Sequence, residues 1–260
     1  QQDVENHEDF ERVKCYICKG SMNNETRHFF YDSMCATCGE LNYTMRNKTR
    51  DLTGMTAIVT GGRIKIGYQI ALWLLNNNCN VIVTTRFPAD ALLRYQKEPN
   101  YEQFKDRLFL YGLDFRNLKK VHQFVDFIHQ NYKEINILIN NAAHTLYRTD
   151  DYNNQLQQDE EAALKAIQED PTNKMKCEEA VSLIQNTSSD QLEIFQNNYS
   201  VYDINHAPVD FSFKNSWTKQ IDEIDFREFA EAQVINSWVP FILCSNLKKI
   251  LTVPGKKSFV

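Results

Sequence analysis

From residue 56 onward the chain repeats one pattern, and that pattern restricts its fold more than any other feature. Apolar, largely β-branched or aromatic runs recur as TAIVT at 56–60, VIVTT at 81–85, RLFLY at 107–111 and NILIN at 136–140. Runs of this length without polar alternation fit strands covered on both faces. Between them lie segments with apolar residues at helical spacing. Residues 66–75 carry Ile66, Ile70 and Leu74, with Ala71, Leu72 and Trp73 beside them, and residues 118–128 carry Val121, Phe124, Val125 and Ile128. Strand alternating with helix predicts an α/β domain of Rossmann type, a parallel sheet with helices on both faces.

The turn after the first run is rich in a residue the chain otherwise avoids. There are 8 glycines in 260 residues, fewer than half the usual ~7%. Three of them, Gly61, Gly62 and Gly67, sit in this one turn. Gly61 permits a tight turn and Gly67 a close approach of helix to strand. The free N–H groups at the helix start would then hold a pyrophosphate. A plain turn can also be Gly-rich. A strand before, a helix after and a second strand about twenty residues on favour a dinucleotide site.

The first 50 residues differ in kind. Cys15 and Cys18 form one Cys-x-x-Cys pair and Cys35 and Cys38 another, with 16 residues between them. This is the spacing of a four-thiolate structural zinc site, closed and non-catalytic. The aromatic stretch 27–31 is expected to form a hairpin between two cysteine turns, with Gly20 and Gly39 following the pairs. His28 lies between the pairs and is a weaker alternative ligand. Cys79, Cys177 and Cys244 are isolated and expected to be inert.

The motifs from residue 51 on resemble the short-chain dehydrogenase/reductase superfamily. Thr60, Gly61, Ile66 and Gly67 stand in the glycine turn, Asp114 follows the third strand, and Asn140, Asn141, Ala142 and Ala143 follow the fourth. The four-cysteine module ahead of a Gly-Gly-Arg-Ile-Lys-Ile-Gly turn resembles a zinc-ribbon-bearing branch of that superfamily. Lys65 is a departure, because most members carry Gly there; it is read as a cation facing phosphate. The resemblance implies a cofactor site made of Gly61, Gly62, Arg63, Lys65, Ile66, Gly67, Arg86, Asp114, Phe115, Asn140 and Ala142. Asp114 would meet the adenine beside the Phe115 backbone, and Asn140 and Ala142 would line the adenosine side. Arg86 stands where the family recognises the ribose 2′ position. Its planar fork suits a 2′-phosphate, so NADP(H) is expected over NAD(H).

The resemblance further implies hydride transfer between nicotinamide and a small-molecule carbonyl or alcohol, with Asn236 as the helix Asn of the catalytic group. The family's Ser and its Tyr-x-x-x-Lys pair would lie after residue 260. KSFV at 257–260 reads as the start of a fifth strand. The sheet is therefore expected to be truncated and the chain to be a fragment, or the ordered part, of a longer enzyme. The alternative is a non-catalytic scaffold subunit of this fold. Two domains are expected, 1–50 and 51–260, the second with an insertion at about 144–227. The insertion reads either as a surface loop or as a lid over the substrate cleft, with a polar, Gln-rich stretch at 150–168 whose residues 160–167 are helix-prone, a second short helix at 174–185 and a polar break at 187–190. After it, Pro240 falls inside a long helix and implies a kink or tertiary support.

Charge and hydropathy bound the rest. Lys+Arg is 29 and Asp+Glu is 34, a formal net charge of −5, which argues against a general nucleic-acid binder. No apolar run reaches the ~20 residues of a membrane span. The polar, acidic start is neither a secretory signal nor a transit peptide. An intracellular, cytoplasmic protein is expected, as a homo-oligomer or part of a larger assembly.

Overall fold

The structure, a computed structural model, describes residues 13–148, 150–169, 202–203, 209, 215–251 and 259–260. The chain forms two compact units, residues 1–50 and 51–260.

In the first unit, β1 (Val13–Lys14) pairs antiparallel with β2 (Ser21–Met22), and α1 spans Ala36–Arg46. The hairpin expected over 27–31 does not form. Residues 27–31 contribute only an isolated antiparallel bridge, Arg27 to Cys35, and the second cysteine pair opens α1 instead. Cys15 and Met22 are the buried hydrophobic residues of this unit among those described, joined by buried His28. That is too little apolar surface to hold about forty residues together without a further crosslink.

The second unit is built on four parallel strands. Along the chain run β3 (Thr56–Thr60), α2 (Lys65–Asn76), β4 (Asn80–Thr85), α3 (Pro88–Gln96), the short α4 (Tyr101–Phe104), β5 (Leu108–Gly112), α5 (Leu118–Asn131) and β6 (Ile137–Ile139). Their order in the sheet is β5-β4-β3-β6. Every ladder between neighbours is parallel. The order reverses between β4 and β6, on either side of β3, and open α/β sheets hold ligands beyond the strand ends at such a switch point. Phe259 forms an isolated parallel bridge to Ile137, on the free side of β6 where the sequence expects a fifth strand.

Both faces are covered because alternate side chains of β3 point to opposite sides. Ile58 packs with Val121, Phe124 and Ile128 of α5. Ala57 and Val59 pack with Ala71, Leu74 and Leu75 of α2 and Tyr95 of α3. The buried face of α2 differs from the expected one: Ala71, Leu72, Leu74 and Leu75 face inward, whereas Ile66 is 70% exposed and Trp73 41%.

After β6 comes α6 (Asp150–Glu169), then α7 (Phe226–Gln233) and α8 (Val239–Leu251). A π-helical stretch, Val234–Trp238, joins α7 to α8. Pro240 explains it, since proline donates no N–H to the carbonyl four residues back and crowds that carbonyl. Leu243, Leu247 and Leu251 of α8 join the core beside α5.

The insertion is not simply a surface loop. Helix α6 docks on α3 through Ala163 and Ile167 against Ala89, with Leu92, Leu93 and Leu164 alongside. The sequence expectations at 174–185 and 187–190, and Cys177, lie outside the described residues. Among the described residues no helix is long and apolar enough to cross a membrane.

Candidate cofactor cleft and cysteine cluster

The four cysteine sulfurs of the first unit lie within 4.8 Å of one another. Cys15 and Cys18 come from the β1–β2 knuckle, while Cys35 caps α1 and Cys38 stands in its first turn. Lys19, directly after Cys18, takes a left-handed backbone at φ 61° that closes the knuckle. Gly39 is required by packing: a Cβ there would lie 2.2 Å from the His28 ring. His28 stands apart from the cluster, its Nδ1 accepting from the Phe30 and Tyr31 N–H groups at 3.1 and 3.2 Å.

The Cys18 and Cys35 sulfurs are 3.9 Å apart, far beyond the ~2.05 Å of a disulfide. A tetrahedron with ~2.3 Å metal–sulfur bonds has sulfur–sulfur edges of about 3.8 Å. The thiols are also set against each other. A hydrogen bond from the Cys35 N–H lowers the Cys15 pKa to about 6. Hydrogen bonding with the Cys35 sulfur raises Cys38 to about 12. One thiolate therefore forms readily, and a full set needs a cation to offset the charge. The donor set fits a soft divalent ion such as zinc.

In the second unit a cleft of about 480 Å³ opens at the switch point. Its floor is the turn from β3 into α2. Gly61 has φ 69°, and a Cβ on it would lie 3.0 Å from the Ala142 Cα. A Cβ on Gly67 would sit 2.4 Å from Asn141 Nδ2 and 2.5 Å from the Gly61 carbonyl. Helix α2 begins without a side-chain cap and with no acidic residue in its first turn, so its first N–H groups are open to an anion.

Lys65 occupies the left-handed region at φ 57°. The departure from Gly at this position therefore carries a backbone cost of roughly 1–2 kcal/mol.

The four arginines around the cleft are held differently. Arg63 is buried and pairs with Asp90, which also accepts from Arg94 Nε at 2.8 Å. Arg116 grips Asp114 through Nε, 3.0 Å from both carboxylate oxygens, and Nη2 at 2.6 Å. Burial works to raise the Asp114 pKa, but Arg116 outweighs it and holds the carboxylate below its usual range. Arg86 is exposed and rests over the Phe87 ring at 5.1 Å, with Nη1 3.4 Å from the Asn153 side-chain oxygen. Arg148 lies over the Tyr152 ring at 4.8 Å.

Gly61, Arg63, Lys65, Ile66, Gly67, Arg86, Asp114, Phe115 and Ala142 all line this cleft. Gly62 sits beneath it, where a Cβ would clash with Val83 at 2.7 Å, and its carbonyl accepts from the buried Tyr95 hydroxyl at 2.7 Å. Asn140 does not line the cleft; it is exposed and its amide donates to the Cys244 sulfur at 3.4 Å. Asn141 does the bracing, donating to the carbonyls of Thr60 at 2.9 Å and Gly61 at 3.2 Å. The Thr60 hydroxyl accepts from the N–H groups of Asn141 and Ala142, each at 3.0 Å.

Asn236 sits in the π-helical stretch with both ends of its amide in use. It accepts from the His144 N–H at 2.6 Å and donates to the His144 carbonyl at 2.9 Å. It thereby fixes the loop that leaves β6. Ser216 holds the same loop by accepting from the Tyr147 N–H at 2.8 Å. The sequence reading passed over His144 itself. Its Nε2 is buried without a hydrogen-bond partner among the described residues, and burial lowers its pKa.

The family model for short chain dehydrogenases matches residues 55–160. An uncharacterized protein of Acanthamoeba polyphaga mimivirus is 40% identical over 149 residues, covering 55% of this chain and 32% of that protein. A WW domain-containing oxidoreductase of Drosophila melanogaster is 32% identical over 94 residues, covering 36% of this chain and 23% of that protein. The chain thus spans a third or less of the length of these relatives. Among solved structures it is similar to a short-chain dehydrogenase from Streptomyces avermitilis at 14% identity and TM-score 0.46, covering 80% of this chain and 48% of the other. It is also similar to a short chain dehydrogenase from Burkholderia cenocepacia in complex with NADP, at 15% identity and TM-score 0.45, covering 78% and 53%.

Proposed function

We propose that residues 51–260 form the cofactor-binding part of an NADP(H)-dependent short-chain dehydrogenase that interconverts a small carbonyl compound and its alcohol. The observation that carries this reading is the uncapped start of α2 under a Gly61–Gly67 turn, with Lys65 beside it and Arg86 at the end of the neighbouring strand. The turn would take the pyrophosphate on backbone N–H groups and Lys65. Arg86, which has no carboxylate partner among the described residues, would take the 2′-phosphate. Phe115 and Ala142 would bound the adenosine, while Asp114, held by Arg116, would offer its remaining lone pairs to the adenine. When bound, the nicotinamide supplies or accepts a hydride. The part of this chain is to bind and orient: Asn236 and Asn141 fix the β6 loop and the glycine turn against each other through backbone groups.

A second reading is a scaffold of the same fold without turnover. The full occupation of the Asn236 amide favours it, because that side chain is then a positioning group. A panel of carbonyl compounds with NADPH and the full-length protein separates the two readings. For the first unit we propose a structural zinc on Cys15, Cys18, Cys35 and Cys38, supported by their mutual distances.

Cofactor choice is tested by titrating NADPH and NADH. NADPH is expected to bind at least about tenfold tighter, the worth of one charge-assisted contact. Arg86→Ala is expected to remove most of that margin. Equal affinities in the unaltered protein would refute the assignment to NADP(H).

A further inference from the structure

The inserted helix α6 reaches the cleft at one corner, beside Arg86. Tyr152 and Leu156 of α6 pack on Phe87, the residue after Arg86. Phe87 in turn lies under two guanidinium groups, Arg63 at 5.2 Å and Arg86 at 5.1 Å. The Asn153 amide joins the two sides of this corner, its oxygen taking Arg86 Nη1 at 3.4 Å and its nitrogen donating to the Arg148 carbonyl at 3.3 Å. Arg63, Arg86 and Arg148 all act electrostatically on the Tyr152 phenol.

What holds the helix there is a contact across some seventy residues. Glu160 is 5% exposed, and its two oxygens accept the N–H groups of Ala89 at 2.7 Å and Asp90 at 2.8 Å. These are first-turn N–H groups of α3, a helix whose own N-cap residue, Phe87, gives no side-chain hydrogen bond. A carboxylate at a helix N-terminus satisfies such donors and the helix dipole together. Glu160 is therefore a latch: it supplies from the insertion the cap that α3 lacks locally.

We infer that the insertion completes the 2′-phosphate pocket, with Arg148 as a second guanidinium beside Arg86, Asn153 orienting the Arg86 fork, and Glu160 as a positioning residue that holds α6 in place. The inference rests on the adenosine-end reading above and adds residues to it. The ligand chemistry is an adenosine carrying a phosphate on its 2′ oxygen. Two planar forks converging on one phosphate give more geometric selection than one.

The test uses the full chain and two small probes, adenosine 2′,5′-bisphosphate and 5′-AMP, by calorimetry. The bisphosphate is expected to bind at least about tenfold tighter than AMP. Arg148→Ala is expected to cut bisphosphate affinity about tenfold and to leave AMP affinity unchanged. Glu160→Ala, which touches no ligand, is expected to give the same selective loss; circular dichroism checks that it folds, and Asn153→Ala replaces it if it does not. Loss of preference in Arg86→Ala with full preference in Arg148→Ala and in the folded latch variant would overturn the inference and leave the NADP(H) reading standing. Failure of the unaltered chain to prefer the bisphosphate would overturn both.

Discussion

The two units build their candidate sites in opposite ways. In the cysteine unit, all four cysteines fall within 24 residues, and one tight turn and the start of α1 bring them together. In the α/β unit, the cleft draws on the segments after β3, β4, β5 and β6, on α6, and on Glu231 and Ile235, from Gly61 to Ile235 along the chain. The first site is held by local backbone geometry and has almost no core behind it. The second is held by two hydrophobic layers and would keep its shape without any ligand. Stability in the first unit should therefore depend on its ligand, and in the second on packing.

The largest expected effect follows from that difference. Removing metal with a chelator should unfold residues 13–50, since structural zinc contributes on the order of 10 kcal/mol to modules of this kind. Limited proteolysis should then cut within 13–50 while 55–148 stays resistant. Resistance of both regions after complete metal removal would break the comparison. Cys18→Ser should act like the chelator.

In the α/β unit the matching change is Gly67→Ala. Its Cβ would meet Asn141 and the Gly61 carbonyl at 2.4 and 2.5 Å. Overpacking of this sort costs roughly 1–3 kcal/mol, readable as a lower midpoint in urea, and it should also abolish nucleotide binding. Lys65→Gly should work the other way. It relieves a left-handed lysine and should stabilise by about 1 kcal/mol, while weakening NADPH binding severalfold. A destabilised Lys65→Gly would mean that the lysine side chain earns its place by packing and not by charge.

The smallest effect is a dependence on pH. Burial would raise Asp90 and Asp114, but Arg94 and Arg63 hold Asp90 low, and Arg116 holds Asp114 low. Their contribution is present above the usual carboxylate pKa of about 4 and is lost as pH falls through their lowered values. Burial raises Glu160 instead, so its native form holds its proton more tightly than the unfolded chain does. Between its unfolded and raised values, falling pH adds stability before the aspartates subtract it. Thermal midpoints across acid pH should show that small gain, and Glu160→Gln should lack it.

The sequence made plain whatever depended on neighbouring residues. The runs at 56–60 and 81–85 became β3 and β4 because uninterrupted β-branched residues suit a buried strand. The fourth run shrank to Ile137–Ile139, and the Asn136 and Asn140 side chains at its two ends bond to Thr56, Glu134 and Cys244. The choice between Asn140 and Asn141 was not legible, since two identical residues in succession differ only in the direction the strand end gives them. Nor was the α6–α3 latch: Glu160 looks like any exposed helix glutamate until the fold brings α3 to it. In the cysteine unit the ligands were plain from spacing, yet the helix at the second pair was hidden by the β-prone aromatics before it.

Hydrogen–deuterium exchange of the whole chain with and without NADPH tests the central claim most directly. The claim is that one cleft, walled in part by the insertion, takes this cofactor. Protection is expected at 60–67, 84–87 and 148–156, with no change at 13–50. Protection confined to other segments, or none at saturating NADPH, would contradict it.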